Sequence, residues 1–205
     1  MSGRFIVLEG LDGAGTTTQS ARLARALRAK GRDVVETHEP TDGPVGRLIR
    51  QALQRSEGAV ARSTLPWMFA ADRADHLSRL VEPTLRAGGD VISDRYLHSS
   101  LAYQSLDYPL EDIFALNASF RVPDLTIFVD VSVDTCLARI SARGEALELF
   151  ERRESLEAIS AQYTAVFERL TERGDPIVHI DGDAAIEHVA EQILNAVQRL
   201  GDRGC

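Results

Sequence analysis

One glycine-rich segment constrains the fold of this chain more than any other feature. It reads Gly10-Leu11-Asp12-Gly13-Ala14-Gly15-Thr16-Thr17-Thr18, between an apolar stretch and a segment with helical periodicity. The order strand, glycine loop and helix is the context in which the pattern G-x-x-x-x-G-x-T forms a phosphate-binding P-loop. Glycines let the backbone curl so that N–H groups point inward, and the start of the helix adds partial positive charge. The segment therefore predicts a nest for a phosphate chain, with the Thr17 hydroxyl placed to ligate the accompanying magnesium ion.

The loop departs from the strict P-loop pattern at one position. Thr16 stands where lysine is expected, and of the 23 lysine and arginine residues all but Lys30 are arginines. A neutral hydroxyl cannot neutralise the charge that develops between transferring phosphates as an ammonium group does. From the loop alone, a glycine-rich turn without a ligand is the alternative that stays open.

The rest of the chain alternates short apolar strands with helical patterns. We predict strands at Phe5 to Leu8, Asp33 to Thr37, Asp90 to Ser93, Leu125 to Val131 and Ile177 to Ile180. We predict helices at about 16–30, 45–54, 65–87, 97–104, 110–120, 133–143, 150–173 and 184–200. Pro83 should kink or shorten the third helix because it lacks a backbone donor.

This alternation predicts the fold class. Strands that are apolar on successive residues are buried on both faces, as in a parallel sheet covered by helices. We expect one α/β domain over residues 1–205, a three-layer fold of the P-loop NTPase type. Its parallel sheet should have about five strands, with helices on both faces.

Composition excludes several classes of function. The net charge is −8 and the pI is near 5.2, which argues against binding to a nucleic-acid polymer but not against a small anion. The two cysteines, Cys136 and Cys205, are too few for a disulfide framework. The first apolar run is too short for a signal sequence or a membrane span. We therefore expect a cytoplasmic protein that binds no membrane.

A second polar motif, Asp94-Arg95-Tyr96, follows the third predicted strand. Open α/β sheets bind ligands at the carboxyl ends of their strands. There Asp94 can orient magnesium or its water, and the Arg95 guanidinium can grip a phosphate with two hydrogen bonds. A structural ion pair is the alternative. The neighbouring His98 is expected to be a surface or capping residue.

Short motifs along the whole chain resemble those of the thymidylate kinases. In order, they are Leu8-Glu9-Gly10-Leu11-Asp12-Gly13-Ala14-Gly15, Glu39-Pro40, Phe69-Ala70-Ala71-Asp72-Arg73, Asp94-Arg95-Tyr96 with Ser99, Ala102-Tyr103-Gln104, Pro123-Asp124-Leu125 and Ile180-Asp181-Gly182. Each motif alone is weak, but the ordered set is specific. The resemblance implies transfer of the ATP γ-phosphoryl group to dTMP, giving ADP and dTDP, with Mg²⁺ bridging the donor phosphates. It also implies a homodimer formed through the helices around 65–87 and 97–120.

The resemblance further implies an acceptor site. Phe69 would stack on the thymine ring and Arg73 would hydrogen-bond its carbonyl edge, whereas core packing is the alternative for Phe69. Arg50 and Arg95 would hold the acceptor phosphate, with Asp12 between the two nucleotides near the attacking oxygen. The remaining implied residues are Glu39, which would order the site through water or magnesium, and Ser99, Ser100, Tyr103 and Gln104, which would line the nucleoside pocket. Helix capping is the alternative for the two serines.

The donor side is predicted to include a mobile lid at about residues 144–154. Arg143 would pack against the donor adenine, opposite Asp181-Gly182. Lids of the family commonly read Asp-Arg-x-Glu, whereas this chain reads Glu148-Leu149-Phe150-Glu151, so the lid arginine is also missing. Arg152 or Arg153 would then supply positive charge when the lid closes. Both arginines could instead be solvated charges on a helix surface.

The sequence thus predicts a dTMP kinase and leaves two alternatives. One is a kinase for another deoxynucleotide or for a deoxynucleoside. The other is a nucleotide-binding regulatory protein with weak or no kinase activity, because Thr16 and Leu149 stand where cations are expected.

Overall fold

The strands lie where their apolar runs predict them. A computed structural model describes residues 3–54, 60–143 and 150–201. Its strands are β1 (Phe5–Glu9), β2 (Val34–His38), β3 (Asp90–Asp94), β4 (Leu125–Asp130) and β5 (Ile177–Asp181). They form one parallel sheet in the order β2-β3-β1-β4-β5. The predicted α/β fold class with about five parallel strands is confirmed.

Helices connect successive strands across the sheet. They are α1 (Thr16–Ala29), α2 (Pro44–Gln54), α3 (Leu65–His76), α4 (Glu82–Arg86), α5 (Leu97–Gln104), α6 (Leu110–Asn117), α7 (Val133–Arg143), α8 (Arg153–Glu172) and α9 (Ile186–Gly201). The helix predicted from Phe150 therefore begins at Arg153. Of the helices in the described ranges, none is long and apolar enough to cross a membrane.

The helix predicted at 65–87 is divided. A π-helical segment, Leu77–Val81, separates α3 from α4, and Pro83 lies in the first turn of α4. Proline cannot donate to the carbonyl one turn earlier, and a wider turn is one way for a helix to accommodate a missing hydrogen bond. The interruption predicted at Pro83 thus begins a turn earlier than the proline itself.

The parallel pairing of β1, β2 and β3 brings the polar motifs to one edge of the sheet. Phe5 to Leu8 are wholly buried in β1, as expected for a strand covered on both faces. Leu8 in β1 and His38 in β2 both pair with Asp94 in β3. The segments that follow these three strands therefore leave the sheet side by side.

Candidate active site

The glycine loop forms a cradle at the start of α1. Gly13 and Gly15 have φ of 87° and 89°, and the Ala14 N–H donates to the Leu11 carbonyl over 3.0 Å. A Cβ atom on Gly13 would lie 2.6 Å from the Cys136 carbonyl oxygen of α7, so only glycine fits there. The first turn of α1 carries no acidic residue. Its free N–H groups and partial positive charge therefore favour an anion.

A cavity of about 400 Å³ opens over this loop, and we call it the loop cavity. Its lining includes Leu11, Asp12, Gly13, Gly15, Thr16, Thr17 and Thr18 of the predicted donor site, together with Asp94, Arg95 and Arg143. Gly10 and Ala14 lie behind the lining, where their carbonyl oxygens accept hydrogen bonds from arginines. The loop cavity has the size and the polar lining suited to a polyphosphate.

Thr17 and Asp94 present oxygen atoms that fit a magnesium ion. The Thr17 hydroxyl donates to one carboxylate oxygen of Asp94. The other oxygen, Oδ1, is buried and has no hydrogen-bond partner among the described residues. Hydroxyl and carboxylate oxygens are hard ligands of the kind Mg²⁺ takes, together with substrate phosphates. Within the described ranges no group of three or more His, Cys, Asp or Glu side chains could hold a metal ion.

Asp12 and Arg95 join the loop to the end of β3. Arg95 Nη2 lies 2.6 Å from Asp12 Oδ1, and the Tyr103 hydroxyl donates to Asp12 Oδ2 over 3.1 Å. Arg95 Nη1 donates to the Gly10 carbonyl and to Ser99 Oγ, each over 3.0 Å. Arg95 thus forms its ion pair with Asp12, whereas Asp94 accepts a hydrogen bond from Thr17.

The conformation and charge of Arg95 both depend on its surroundings. Its φ of 71° lies in the left-handed region, which costs a non-glycine residue free energy and is often found at functional sites. Burial alone would lower the pKa of Arg95, but the surrounding Tyr103, Asp12, Tyr163 and Asp94 raise it well above its ordinary value. Burial raises the pKa of the Tyr103 phenol well above its usual range, so this group remains a donor.

Glu9 organises the residues behind Arg95, and sequence reasoning assigned it no role. Its Oε1 accepts the backbone N–H groups of Tyr96 and Ser99 over 2.9 and 3.2 Å. Its Oε2 accepts the hydroxyls of Ser99 and Tyr163 over 2.6 and 2.9 Å. Burial alone would raise the pKa of Glu9, but His98, Arg95 and Ser99 outweigh it, and the pKa lies below its ordinary value.

His98 and the two serines differ from their simplest expectations. His98 is buried, with Nδ1 3.5 Å from Glu9 Oε1, so the expectation of a surface residue was wrong. Tyr96 is the N-cap residue of α5 and makes no side-chain cap hydrogen bond. Ser99 bonds Glu9 and Arg95, and Ser100 bonds Arg73, so neither serine acts as a helix cap.

A larger cavity of about 520 Å³ adjoins the loop cavity, and we call it the large cavity. It brings together the predicted acceptor residues Glu39, Arg50, Phe69, Arg73, Arg95, Ser99, Ser100, Tyr103 and Gln104. Phe69 is only half-buried and lines this cavity, so it does not belong to the core. Four residues, Asp12, Thr17, Asp94 and Arg95, line both cavities. A ligand in one cavity would therefore meet a ligand in the other at these side chains.

Arg73 is held in the wall of the large cavity by a buried polar network. Its Nε donates to Glu39 Oε2 over 3.0 Å, its Nη2 to Ser100 Oγ over 2.9 Å, and its Nη1 to Asn117 Oδ1. Nη2 also lies 2.8 Å from Glu39 Oε2. Since arginine has two N–H groups on each Nη, these contacts leave one Nη1 N–H for a ligand.

Glu39 thus contacts protein groups through both carboxylate oxygens. Oε2 faces Arg73, and Oε1 lies 3.0 Å from His76 Nδ1. His76 in turn bonds Thr37 Oγ1 over 2.8 Å through Nε2. In this structure Glu39 orders the site by holding Arg73, a role that the sequence did not predict. Asn117 and His76 also lay outside the predicted site.

Arg50 of α2 also lines the large cavity. Its Nη1 donates to the Pro40 carbonyl over 2.8 Å, and its Nη2 lies 2.7 Å from Asp42 Oδ1. The guanidinium is partly exposed, and Asp42 is mostly exposed. The pKa of Asp42 is lowered by His38 and by Arg50. A phosphate group would compete with this exposed carboxylate for Arg50 more easily than with a buried one.

The predicted donor-side arginines lie in different settings. Arg143 lines the loop cavity and lies 3.4 Å from Glu151. Arg153 begins α8 and pairs with Asp134 over 2.6 Å, and Arg152 is exposed. Neither arginine is among the described residues that line the loop cavity or the large cavity. Most of the predicted lid, residues 144–149 with Glu148 and Leu149, lies outside the described residues.

Arg139 lines the loop cavity and was not predicted. Its Nη1 donates to the carbonyls of Ala14 and Gly13 over 3.1 and 3.4 Å, and its Nη2 to Gly182 over 3.1 Å. Arg139 lies four residues before Arg143, so both side chains are on one face of α7. This spacing is the sequence signal that could have identified Arg139 as a site residue.

Comparisons with known proteins agree with this arrangement. The profile of the protein family described as thymidylate kinase matches residues 8–193. A thymidylate kinase of Desulfotalea psychrophila is 38% identical over 201 residues, covering 97% of this chain and 96% of that protein. A probable thymidylate kinase of Pyrococcus abyssi is 36% identical over 203 residues, covering 97% of each chain. Another, of Thermococcus onnurineus, is 37% identical over 202 residues, covering 95% of this chain and 97% of that protein. A match of this length and identity shows that the chain belongs to the thymidylate kinase family.

Proposed function

We propose that this protein transfers the γ-phosphoryl group of ATP to dTMP, giving ADP and dTDP, with Mg²⁺ as cofactor. The observation that carries the proposal is that the loop cavity and the large cavity share Asp12, Thr17, Asp94 and Arg95. Two nucleotides bound in these cavities would bring their phosphates together at those four side chains. Family membership supports the same reaction.

The donor phosphates would lie in the glycine loop against the N-terminus of α1. The backbone N–H groups of Gly13 and of Gly15 to Thr18 would bind phosphate oxygens, whereas that of Ala14 is bonded to Leu11. Thr17 and Asp94 would hold the metal ion. When bound, Mg²⁺ would neutralise part of the donor charge that the absent lysine leaves unbalanced. Arg143 would border the donor nucleotide from the side of α7.

The acceptor would lie in the large cavity, with its base at the Arg73 end. Phe69 would stack on the pyrimidine ring, and the free Nη1 N–H of Arg73 would donate to a carbonyl of the base. Because Glu39 and Asn117 already fix the guanidinium, little conformational entropy would be lost when the base binds. Arg50 and Arg95 would hold the phosphate of dTMP, and the Tyr103 side chain would border the sugar.

The chain's own residues would then act by positioning and charge. A phosphate oxygen of dTMP attacks the terminal phosphorus in line, so no covalent enzyme intermediate is needed. Arg95 would bind the acceptor phosphate at the boundary of the two cavities, while Asp12 keeps the guanidinium oriented. Losing one good cationic donor in such a site costs on the order of a hundredfold in rate. Activity despite Thr16 therefore requires other positive charge near the donor.

A coupled assay of ADP release tests the proposal. With ATP and Mg²⁺, we expect release that depends on dTMP, is weaker with dUMP and is absent with thymidine, which has no phosphate for Arg50 and Arg95. An Arg73→Leu variant should raise KM for dTMP strongly while leaving the affinity for ADP unchanged. Binding of dTMP without any ADP release would instead support a regulatory nucleotide-binding protein.

The proposal extends to the state of the protein in the cell. We propose one domain, because the five strands share one sheet. We also propose a homodimer, as the resemblance to thymidylate kinases implies, with exposed Trp67 on a helix of the predicted interface. A cytoplasmic location agrees with the two cysteines of the sequence. Sedimentation velocity should give twice the monomer mass, and Trp67→Glu should reduce it to the monomer mass. A monomeric wild-type protein would contradict the dimer.

A further inference from the structure

The phosphate loop has a deficit of positive charge that Lys30 cannot supply. Thr16 is neutral and buried at the start of α1, whereas Lys30 lies at the C-cap of the same helix. The fourteen residues of α1 separate the two positions by about 20 Å along the helix axis. Apart from the metal ion, compensating positive charge from this chain must therefore come from arginine, because Lys30 is its only lysine.

Among the residues that the structure describes, three arginines line the loop cavity: Arg95, Arg139 and Arg143. Arg95 is paired with Asp12 over 2.6 Å, and Arg143 is paired with Glu151 over 3.4 Å. Each of these two cations already faces a carboxylate, which cancels much of its field at the loop.

Arg139 differs because its hydrogen bonds go to neutral groups. The acceptors are the carbonyl oxygens of Gly13, Ala14 and Gly182, and within the described residues Arg139 forms no ion pair. Its Nη1 would lie 3.9 Å from a Cβ atom on Gly15, so the guanidinium touches the loop itself. Arg139 also helps to lower the pKa of Asp183, but that carboxylate forms no ion pair with it. The charge of Arg139 is therefore less cancelled than that of Arg95 or Arg143, each of which has a carboxylate within ion-pair distance.

The contacts of Arg139 also suit the conformation that binds phosphate. In an anion-binding loop the N–H groups point to the anion, so the carbonyl groups of the same peptides point away. Arg139 holds the Ala14 carbonyl, which belongs to the same peptide as the Gly15 N–H, from that outer side. It also bonds the Gly13 carbonyl, whose peptide N–H donates to Leu11 within the loop. Helix α7 is packed closely enough to do this, since the Cys136 backbone leaves no room for a side chain at Gly13.

We propose that Arg139 supplies the positive charge that a lysine at position 16 would otherwise give the phosphate loop. It acts as a positioning residue, from behind the loop, by fixing two carbonyl groups and by adding a net charge close to the donor phosphates. This inference rests on the proposed function, because it takes the loop cavity to be the site of the ATP phosphates. The sequence analysis expected Arg152 or Arg153 of the lid to supply this positive charge, whereas the inference assigns that role to Arg139 of α7.

A double-mutant cycle with Thr16→Lys tests the charge role. The probe is inorganic tripolyphosphate with Mg²⁺, measured by calorimetry, because it has no base whose contacts could account for a loss. We expect Arg139→Gln to weaken binding about tenfold or more in the natural background. In the Thr16→Lys background the same change should cost about twofold or less, since the lysine already supplies the charge. An equal loss in both backgrounds would mean that Arg139 only braces the loop, and no loss would overturn the inference outright.

Two further variants separate charge from folding. Arg139→Lys keeps the charge but not the fork of donors, so it should bind tripolyphosphate more tightly than Arg139→Gln. Equal weakening in both would contradict a charge role, even if the Thr16→Lys protein failed to fold. Arg22→Gln, on the exposed side of α1 beside Glu187, makes the same change in net charge and should bind as the natural protein does. Thermal unfolding of each variant identifies any that has lost its structure.

The experiment also separates this inference from the proposed function. Tripolyphosphate binding can be measured without turnover. If the double-mutant cycle gives the expected result but the natural protein fails to phosphorylate dTMP, the inference about Arg139 is supported and the proposed kinase activity is rejected. If the natural protein phosphorylates dTMP but Arg139→Gln binds tripolyphosphate as tightly as the natural protein does, the kinase activity is supported and the inference about Arg139 is rejected. If the natural protein bound no tripolyphosphate at all, both the inference about Arg139 and the proposed function would be rejected.

Discussion

At the residue scale, the buried carboxylate of Glu9 connects strand β1 to the residues proposed to hold the phosphates. It accepts two backbone N–H groups at the start of α5 and the hydroxyls of Ser99 and Tyr163. Ser99 Oγ in turn accepts from Arg95. The left-handed conformation of Arg95 is therefore supported by a group that never touches a ligand. Such support is what a functional residue with a strained backbone requires.

Replacement of Glu9 by glutamine should reveal this support. An amide in place of Oε2 would present a donor to hydroxyls that now donate, so we expect the free energy of unfolding to fall by about 1–3 kcal/mol. KM for dTMP should rise more than KM for ATP, because Arg95 loses its bond through Ser99. Urea denaturation and initial rates measure the two effects. Asp130→Asn, at the exposed end of β4, is the control and should change stability by less than about 0.5 kcal/mol. An unaltered KM for dTMP in Glu9→Gln would show that the position of Arg95 does not depend on Glu9.

At the element scale, the approach of α7 to the phosphate loop decides how the loop is built. The Cys136 carbonyl would meet a Cβ at Gly13 at 2.6 Å, so helix and loop backbones are in direct contact. Burial raises the pKa of the Cys136 thiol to about 11, which leaves this residue a packing group at neutral pH. A loop held from behind in this way keeps its N–H groups aimed without help from a ligand.

Two glycine substitutions measure this contact. Gly13→Ala and Gly31→Ala both place alanine at a φ near 80–90°, which costs about 1 kcal/mol at either position. Gly31 has open space around its missing Cβ, whereas Gly13 faces backbone. We therefore expect Gly31→Ala to leave ADP affinity unchanged and Gly13→Ala to weaken it at least tenfold. Calorimetric titration with ADP compares the two proteins, and equal affinities would contradict the close packing of α7.

At the scale of the whole molecule, one buried carboxylate ties together distant parts of the chain at the end of the sheet opposite the site. Asp90, at the start of β3, is wholly buried and lies 2.5 Å from Nη2 of both Arg4 and Arg32. Arg4 also donates to the Val197 carbonyl of α9 over 3.4 Å. Burial alone would raise the pKa of Asp90, but the hydrogen bonds from Arg4 and Arg32 outweigh it and lower the pKa below its ordinary value.

The lowered pKa gives Asp90 a definite pH dependence. A carboxyl group whose pKa is depressed in the folded state adds stability above its unfolded pKa, about 3.9, and this stability is lost as pH falls through the folded value. We expect Asp90→Asn to be less stable than the natural protein by about 3–5 kcal/mol at pH 7. The difference should persist to pH 5 and shrink below about pH 4. Urea unfolding of both proteins from pH 3 to pH 7 measures it, and a constant difference would show that Asp90 does not titrate as described.

Local patterns were enough to predict the parts of this protein that local physics controls. Apolar runs located the five strands to within a residue at each end, and the glycine spacing located the loop, because backbone geometry and burial of a strand depend on nearby residues. The π-helical segment before Pro83 was not predicted, because a helical pattern does not show how a helix absorbs a missing hydrogen bond.

The amino-acid sequence by itself determined the α/β fold, the phosphate loop with its missing lysine, and most of the residues that line the two cavities. Only the tertiary structure decided how those residues are held. Glu9 and Tyr163 are 154 positions apart, and Arg139 and Ala14 are 125 apart, yet each pair is hydrogen-bonded. Contacts at such separations arise from the packing of α7 and α8 against the sheet, which no periodicity or spacing along the chain encodes. Sequence therefore identified the lost charge at Thr16, and tertiary packing brought Arg139 to the loop.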